Sequence, residues 1–354
     1  MTREMWEGNQ AIAEAAVRAG LEAYFGYPIT PQTEVAEYLA RRMPEVGGVF
    51  LQAESEVAAS NMIFGAASAG VRVFTTSSSP GISLMQEAMS YITAAELPAV
   101  FVNIIRNGPG LGGILPSQGD YFQATRGGGH GDYRMLVLAP SSIQEAVELM
   151  MLAFEKADEY RNPVMVVGDG LIGQMMEPVD FSAAPKSNPP DKSPWAATGA
   201  KGRKPHVIKT LYLDPDRSEE LNQKLTAKYE KMTANEVRFE EYNLEKARDL
   251  ILVAFGTTAR VCKTAIDDLK AVGVEVGLFR PISLYPFPTQ EIRSWAKHKL
   301  VRQFLTVEMN TGQMLEDVQL AVLGNKPVRF YGRQGGNVPS PEEIIEQCRK
   351  LLKK

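Results

Sequence analysis

Three side chains in the first third of the chain stand where apolar runs end and could do chemistry: Thr30, Glu56 and Arg106. Glu56 follows the short apolar run Val49–Leu51 and opens an alanine-rich segment of helical character. A carboxyl placed there sheds hydration and can hold or share a proton with a bound ligand. The same placement suits an ordinary first-turn acid favoured by the helix dipole. Glu54, two residues earlier, points elsewhere because strand side chains alternate. Thr30-Pro31 is the preferred order for an N-cap and a first helical residue. Such a terminus also attracts a carboxylate or phosphate. Arg106 closes the apolar run PAVFVNIIR, where an arginine is either an ion-pair partner at the sheet rim or a bidentate clamp for a carboxylate.

Other motifs carry less. Gly108-Pro109-Gly110-Leu111-Gly112-Gly113 matches G-x-G-x-x-G after a strand, but Pro116 and a polar loop follow where a dinucleotide site needs a helix. This stretch is expected to be a loop over a pocket. Gly168-Asp169-Gly170 resembles the start of a thiamine diphosphate and magnesium motif, yet no Asn-Asn pair occurs downstream, so it reads as a turn. His130, His206 and His298 are scattered, and no spacing of histidines or carboxylates gives metal geometry; no metal ligand is assigned.

The elements that must position these residues alternate between strand and helix. Strands are expected at Ala23–Tyr27, Val49–Gln52, Val71–Thr76, Pro98–Arg106, 135–140 and Val164–Val167, the first two buried. Helices are expected at Gly8–Gly20, Gln32–Met43, Glu56–Gly70, Leu84–Glu96 and Ser142–Asp158. This alternation predicts a parallel sheet covered on both faces. From Glu177 to about Pro205, Pro178, Pro185, Pro189, Pro190 and Pro194 interrupt regular structure and read as a wrapping linker. A charged helix over Asp214–Ala234 follows, and from Leu250 a smaller α/β alternation resumes. The expected organisation is therefore residues 1–177, a connection over 178–249, and residues 250–354.

A length of 354 residues suits two such domains. The net charge of −4 and pI near 5.7 argue against a nucleic-acid or anionic-membrane partner. No signal peptide and no apolar run of roughly 18 residues is seen, so a cytoplasmic location is expected. Only Cys262 and Cys348 are present, too few for an all-cysteine iron–sulfur cluster, which takes about four thiolates.

Taken together, GYPITPQTEV (26–35), QAESEVAAS (52–60), TSSSPGISLMQE (76–87), ELPAVFVNIIRNGPG (96–110) and GLFRPISLYPFP (277–288) resemble the alpha-type subunit of the 2-oxoacid:ferredoxin oxidoreductases. The resemblance spans almost the whole chain and is nearest the branched-chain (3-methyl-2-oxobutanoate) type, with the 2-oxoglutarate type close behind. It implies a thiamine diphosphate pyrimidine-binding-like domain followed by a transketolase C-terminal-like domain. Glu56 matches the acid that hydrogen-bonds the aminopyrimidine. Thr30 and Arg106 match positions facing the 2-oxoacid, with Arg106 on its carboxylate. Pro28, Ile29, Ser79 and Gly81 would line the cofactor's side. The resemblance also implies a beta subunit holding the diphosphate and Mg2+, gamma-type and ferredoxin-like iron–sulfur subunits, and ferredoxin and coenzyme A as co-reactants; this chain alone would be inactive. The rival readings are the pyrimidine-side subunit of a lipoamide-linked 2-oxoacid dehydrogenase and a non-catalytic scaffold of an electron-transfer complex.

Overall fold

Seven strands form the first sheet of the computed structural model, in spatial order Ser283–Tyr285, Leu136–Leu138, Pro163–Asp169, Ala99–Ile105, Val73–Ser77, Ala23–Gly26 and Val49–Gln52. The described residues are 3–183, 188–246 and 249–352, so Pro185 lies outside them. All pairings in this sheet are parallel except that of Ser283–Tyr285 with Leu136–Leu138. Ala99–Ile105 and Pro163–Asp169 are buried along their whole length, as unbroken apolar runs in a doubly covered parallel sheet should be.

The second sheet orders Val328–Gly332, Val301–Glu308, Asp249–Val253, Gly277–Pro281 and Phe239–Tyr242, the last strand antiparallel. The chain is thus two α/β units with parallel-rich sheets. Two strands cross the sequence order of the units. Ser283–Tyr285 leaves the second sheet's stretch to extend the first, and Phe239–Tyr242, just after the charged helix Pro215–Asn235, extends the second. One apolar core runs from Ile63, Met89 and Phe101 of the first unit into Phe255, Phe279 and Phe304 of the second.

Several local expectations are corrected. Val49–Gln52 is an edge strand, not a buried one: Val49 is 52% and Leu51 40% exposed. Met176–Val179, within the supposed linker, pairs antiparallel with Glu4–Glu7; Pro178 is tolerated because a two-stranded ribbon leaves each strand an open edge. Thr30 is not an N-cap. The helix begins at Thr33 with Gln32 in the capping place, and a cis peptide joins Thr30 to Pro31.

In the first sheet the chain runs from Ala23–Gly26 outward to Val49–Gln52, then returns to Val73–Ser77 on the other side. The crevice at the carboxyl ends of Ala23–Gly26 and Val73–Ser77 is therefore the topological switch point, the place where open α/β sheets bind ligands.

Candidate functional site

The turns that leave the switch point are Tyr27–Gln32 and Ser78–Ser79. Helix Glu56–Ser68 starts beside them, capped by Ser55, whose hydroxyl accepts from the Ala58 N–H at 3.2 Å. Glu56 is its first residue and is buried, whereas Glu54 is exposed. The carboxyl of Glu56 lies against Gly81, in the first turn of helix Pro80–Ala94. A Cβ at Gly81 would stand 2.6 Å from Glu56 Oε1 and 2.0 Å from Ser77 Oγ, so only glycine fits. Ser77 Oγ at this contact, and the hydroxyls of Thr75 and Ser78 on the same strand end, are buried without a hydrogen-bond partner.

Ser79 joins that strand end to Arg106. Its backbone takes a positive φ of 22°, sparsely populated for a residue with a side chain. Its N–H donates to Asn103 Oδ1 at 3.0 Å, and its hydroxyl to Asp120 Oδ2 at 2.6 Å. The Arg106 N–H in turn donates to Ser79 Oγ at 3.1 Å. The Arg106 guanidinium is buried. Nη1 donates to the Thr30 carbonyl and Nη2 to the Leu111 carbonyl, each at 3.0 Å, while Nε has no partner. Among the described residues its bonds go to main-chain carbonyls and not to a carboxylate, which leaves cationic capacity for a ligand.

Arg106 and Ser79 line a cavity of about 800 Å³ between the two units. Its far wall is Met309, Asn310 and Gln313, at the carboxyl end of Val301–Glu308. The glycine-rich stretch Gly108–Pro109–Gly110 forms one rim. It folds back on Asn107, which accepts the Gly113 N–H at 2.9 Å, and the chain reaches a helix only at Tyr121–Arg126. Asp169 of the Gly-Asp-Gly stretch caps a short helix, accepting from Leu171 and Ile172 N–H groups. Burial pushes its carboxyl above the usual range, against the Thr257 bond that favours ionisation.

The structure thus strings Glu56, Gly81, Ser79, Arg106 and the Thr30 carbonyl into one contiguous wall. Of the expected residues only Ser79 and Arg106 line the cavity; Glu56 and Gly81 are buried and do not line it, nor do Thr30 and Pro28, whose side chains are exposed, or the half-buried Ile29. Two carboxyls were missed. Asp120 lines the cavity, accepts from Ser79 and Asn103, and is pushed upward by burial. Glu308 ends the apolar run FLTVEM and receives the N–H groups of Met314 and Leu315; burial pushes it up to about 7. An acid ending an apolar strand was a usable signal for Glu308, whereas nothing local marked Asp120.

Comparison with known proteins adds the lineage of the chain. Residues 14–251 match the family described as pyruvate flavodoxin/ferredoxin oxidoreductase, thiamine diphosphate-binding, and residues 248–344 match pyruvate:ferredoxin oxidoreductase core domain II. The ketoisovalerate oxidoreductase subunit VorB of Methanothermobacter thermautotrophicus is 47% identical over 99% of this chain and 98% of its own length. The 2-oxoglutarate synthase subunit KorA of Methanocaldococcus jannaschii is 34% identical over 97% of this chain and 98% of its own. Among solved structures, the 2-oxoglutarate:ferredoxin oxidoreductase of Magnetococcus marinus, with 2-oxoglutarate, coenzyme A and succinyl-CoA bound, superposes with a TM-score of 0.89 at 26% identity. That match covers 99% of this chain but 65% of the solved one, which is the longer protein.

Proposed function

This chain belongs to the thiamine diphosphate-dependent 2-oxoacid:ferredoxin oxidoreductases as one of their subunits, and we propose that it supplies the pyrimidine side of a shared active site acting on a branched-chain 2-oxoacid. The substrate is 3-methyl-2-oxobutanoate, oxidised to an acyl-coenzyme A and carbon dioxide with reduction of ferredoxin. One observation carries this reading: the acid Glu56 and the partly unspent cation Arg106 stand on a single wall at the switch point, joined through Gly81 and Ser79.

The residues fit the cofactor. Gly81 lets the buried Glu56 carboxyl pack directly against the start of helix Pro80–Ala94, and the hydroxyls of Ser77 and Ser78 beside it are left without a partner. When bound, thiamine diphosphate supplies the carbon nucleophile and electron sink for decarboxylation. Glu56 holds the proton at the aminopyrimidine. Arg106 orients the substrate carboxylate with the N–H groups not spent on Thr30 and Leu111. Among the described lining residues Arg106 is the one cation and Asp120 the one carboxyl. A second substrate carboxylate would meet an acceptor and no second cation from this side, which favours a monocarboxylic 2-oxoacid over 2-oxoglutarate.

The rest of the assembly is assigned to partners. A beta subunit holds the diphosphate and Mg2+, and gamma-type and ferredoxin-like subunits carry the clusters, since Cys262 and Cys348 are both buried in the second unit. Residues 1–177 make the pyrimidine-binding-like domain, 178–249 the connection and 250–354 the transketolase C-terminal-like domain, in a cytoplasmic complex.

The test is Glu56→Gln in the assembled native complex. We expect decarboxylation to fall by about 10²-fold or more with subunit assembly intact. Unchanged turnover defeats the acid role and leaves the scaffold reading. Turnover of 3-methyl-2-oxobutanoate, 2-oxoglutarate and pyruvate by the same complex ranks the substrate classes. A preference for 2-oxoglutarate overturns the branched-chain assignment.

A further inference from the structure

Resting on the reading above, we propose that Asp120 is a positioning residue that holds the Ser77–Gly81 turn, and through it both the Glu56 wall and the Arg106 main chain, in register with the second α/β unit. Asp120 Oδ2 accepts from Ser79 Oγ at 2.6 Å and from Asn103 Nδ2 at 2.9 Å, and Ser79 N–H closes the ring on Asn103 Oδ1 at 3.0 Å. That ring pins a residue whose positive φ of 22° needs outside support. Ser79 is the pivot of the site. One step on lies Pro80, then Gly81 against Glu56; on its other side the hydroxyl of Ser79 receives the Arg106 N–H at 3.1 Å. Helix Tyr121–Arg126 starts just after Asp120, yet the Asp120 side chain makes no capping bond there, so its acceptor is committed to the turn.

What places Asp120 is the second unit. Gln118 is gripped on four atoms: its N–H donates to the Met309 carbonyl at 3.0 Å, its Oε1 accepts from Met309 N–H at 3.0 Å, its Nε2 donates to the Phe255 carbonyl at 2.8 Å, and its carbonyl accepts from Asn310 Nδ2 at 2.9 Å. Ser117 Oγ also donates to the Met309 carbonyl, at 3.2 Å. The carboxyl end of the second sheet therefore fixes residues 117–118, and Asp120 carries that placement two residues further into the first unit's site. The second unit contributes to the chemistry by holding this segment in place.

The test uses the assembled complex with Asp120→Ala, Asp120→Asn, Ser79→Ala and Arg106→Ala. It reads kcat and KM for 3-methyl-2-oxobutanoate, thiamine diphosphate Kd by calorimetry, and assembly by gel filtration. Asp120→Ala should raise KM about tenfold or more and weaken thiamine diphosphate binding, because it releases both arms of the turn at once. Asp120→Asn keeps an acceptor oxygen for both donors and should stay within about threefold of the parent. If Asp120→Ala does not assemble, Ser79→Ala must raise KM and Kd together. The proposal is overturned if Asp120→Ala, or failing it Ser79→Ala, leaves both within about twofold, or if Asp120→Asn is as damaging as Asp120→Ala, which makes the charge rather than the geometry the operative property. Arg106→Ala separates the two levels. A silent Arg106→Ala defeats the substrate clamp of the functional reading, whereas a damaging one beside a silent Asp120→Ala defeats the positioning role alone.

Discussion

Replacing Gly81 with alanine adds one methyl at the narrowest point of the site. The new Cβ would lie 2.0 Å from Ser77 Oγ and 2.6 Å from Glu56 Oε1. Restoring an ordinary contact of about 3.4 Å moves Ser77 Oγ by about 1.4 Å and the Glu56 carboxyl by about 0.8 Å. The Ser77 strand is buried and its backbone cannot give way, so its hydroxyl must rotate and the Glu56 carboxyl must turn aside, or the helix must shift outward. Overpacking of this kind costs about 1–3 kcal/mol. Alanine in place of glycine within a helix recovers about 1 kcal/mol. The net stability change is therefore small, on the order of 1 kcal/mol destabilising. Catalysis has no such compensation, since a misplacement near 1 Å costs about 10²-fold. The expected signature is a complex with a melting temperature near that of the parent and a kcat lowered by about 10²-fold. Thermal melts and steady-state reduction of ferredoxin read both quantities on the same preparation. A Gly81→Ala complex turning over within twofold of the parent would falsify the placement of Glu56 as the working acid.

Other consequences follow from groups outside the immediate site. Glu308, raised to about 7 by burial, binds more protons in the native state than in the unfolded chain between the usual carboxylate range and neutrality. Its contribution is present below about pH 4.3 and is lost as pH rises to about 7, a loss on the order of 3 kcal/mol at about 1.4 kcal/mol per unit. Glu308→Gln should flatten the fall in unfolding free energy over that window; curves that stay parallel from pH 4.5 to 8 would count against it. Arg280 joins the units: its Nη1 and Nη2 reach Glu145 at 2.9 and 2.7 Å, and its Nε reaches Glu240 at 2.6 Å. Arg280→Ala takes one partner from each carboxylate, leaving Glu240 its pair with Lys263 and Glu145 its bonds from Ser141, and should cost about 1.5–2 kcal/mol, read from the denaturant midpoint. A change under 0.5 kcal/mol contradicts this.

The sequence pattern carried the helix that opens at Glu56, because a strand, a polar turn and a run of small residues leave little choice of register. It carried the central strands, whose unbroken apolar runs have no partner but a doubly covered sheet. It also exposed the glycine-rich loop as no dinucleotide site, since the proline that follows forbids the helix. The edge position of Val49–Gln52 was not legible, because a short apolar run reads alike at an edge and in a core. Nor was the strand Phe239–Tyr242, whose charges hide its pairing with Gly277–Pro281. Thr30-Pro31 mimicked a cap because composition alone does not distinguish a first helical turn from a turn ahead of it. Asp120 was beyond reach: its partners lie 17 and 41 residues away, and only the folded sheet brings them together.

The exchange of strands between the units has a mechanical outcome. Ser283–Tyr285 is stitched into the first sheet beside Leu136–Leu138 while its neighbour Gly277–Pro281 stays in the second. Swinging the halves apart would break the short pairing of Ser283–Tyr285 with Leu136–Leu138, so the cleft resists widening. The glycine-rich rim, whose backbone can yield without unzipping a sheet, is the softer edge of the cleft, and the molecule should melt as a single cooperative body.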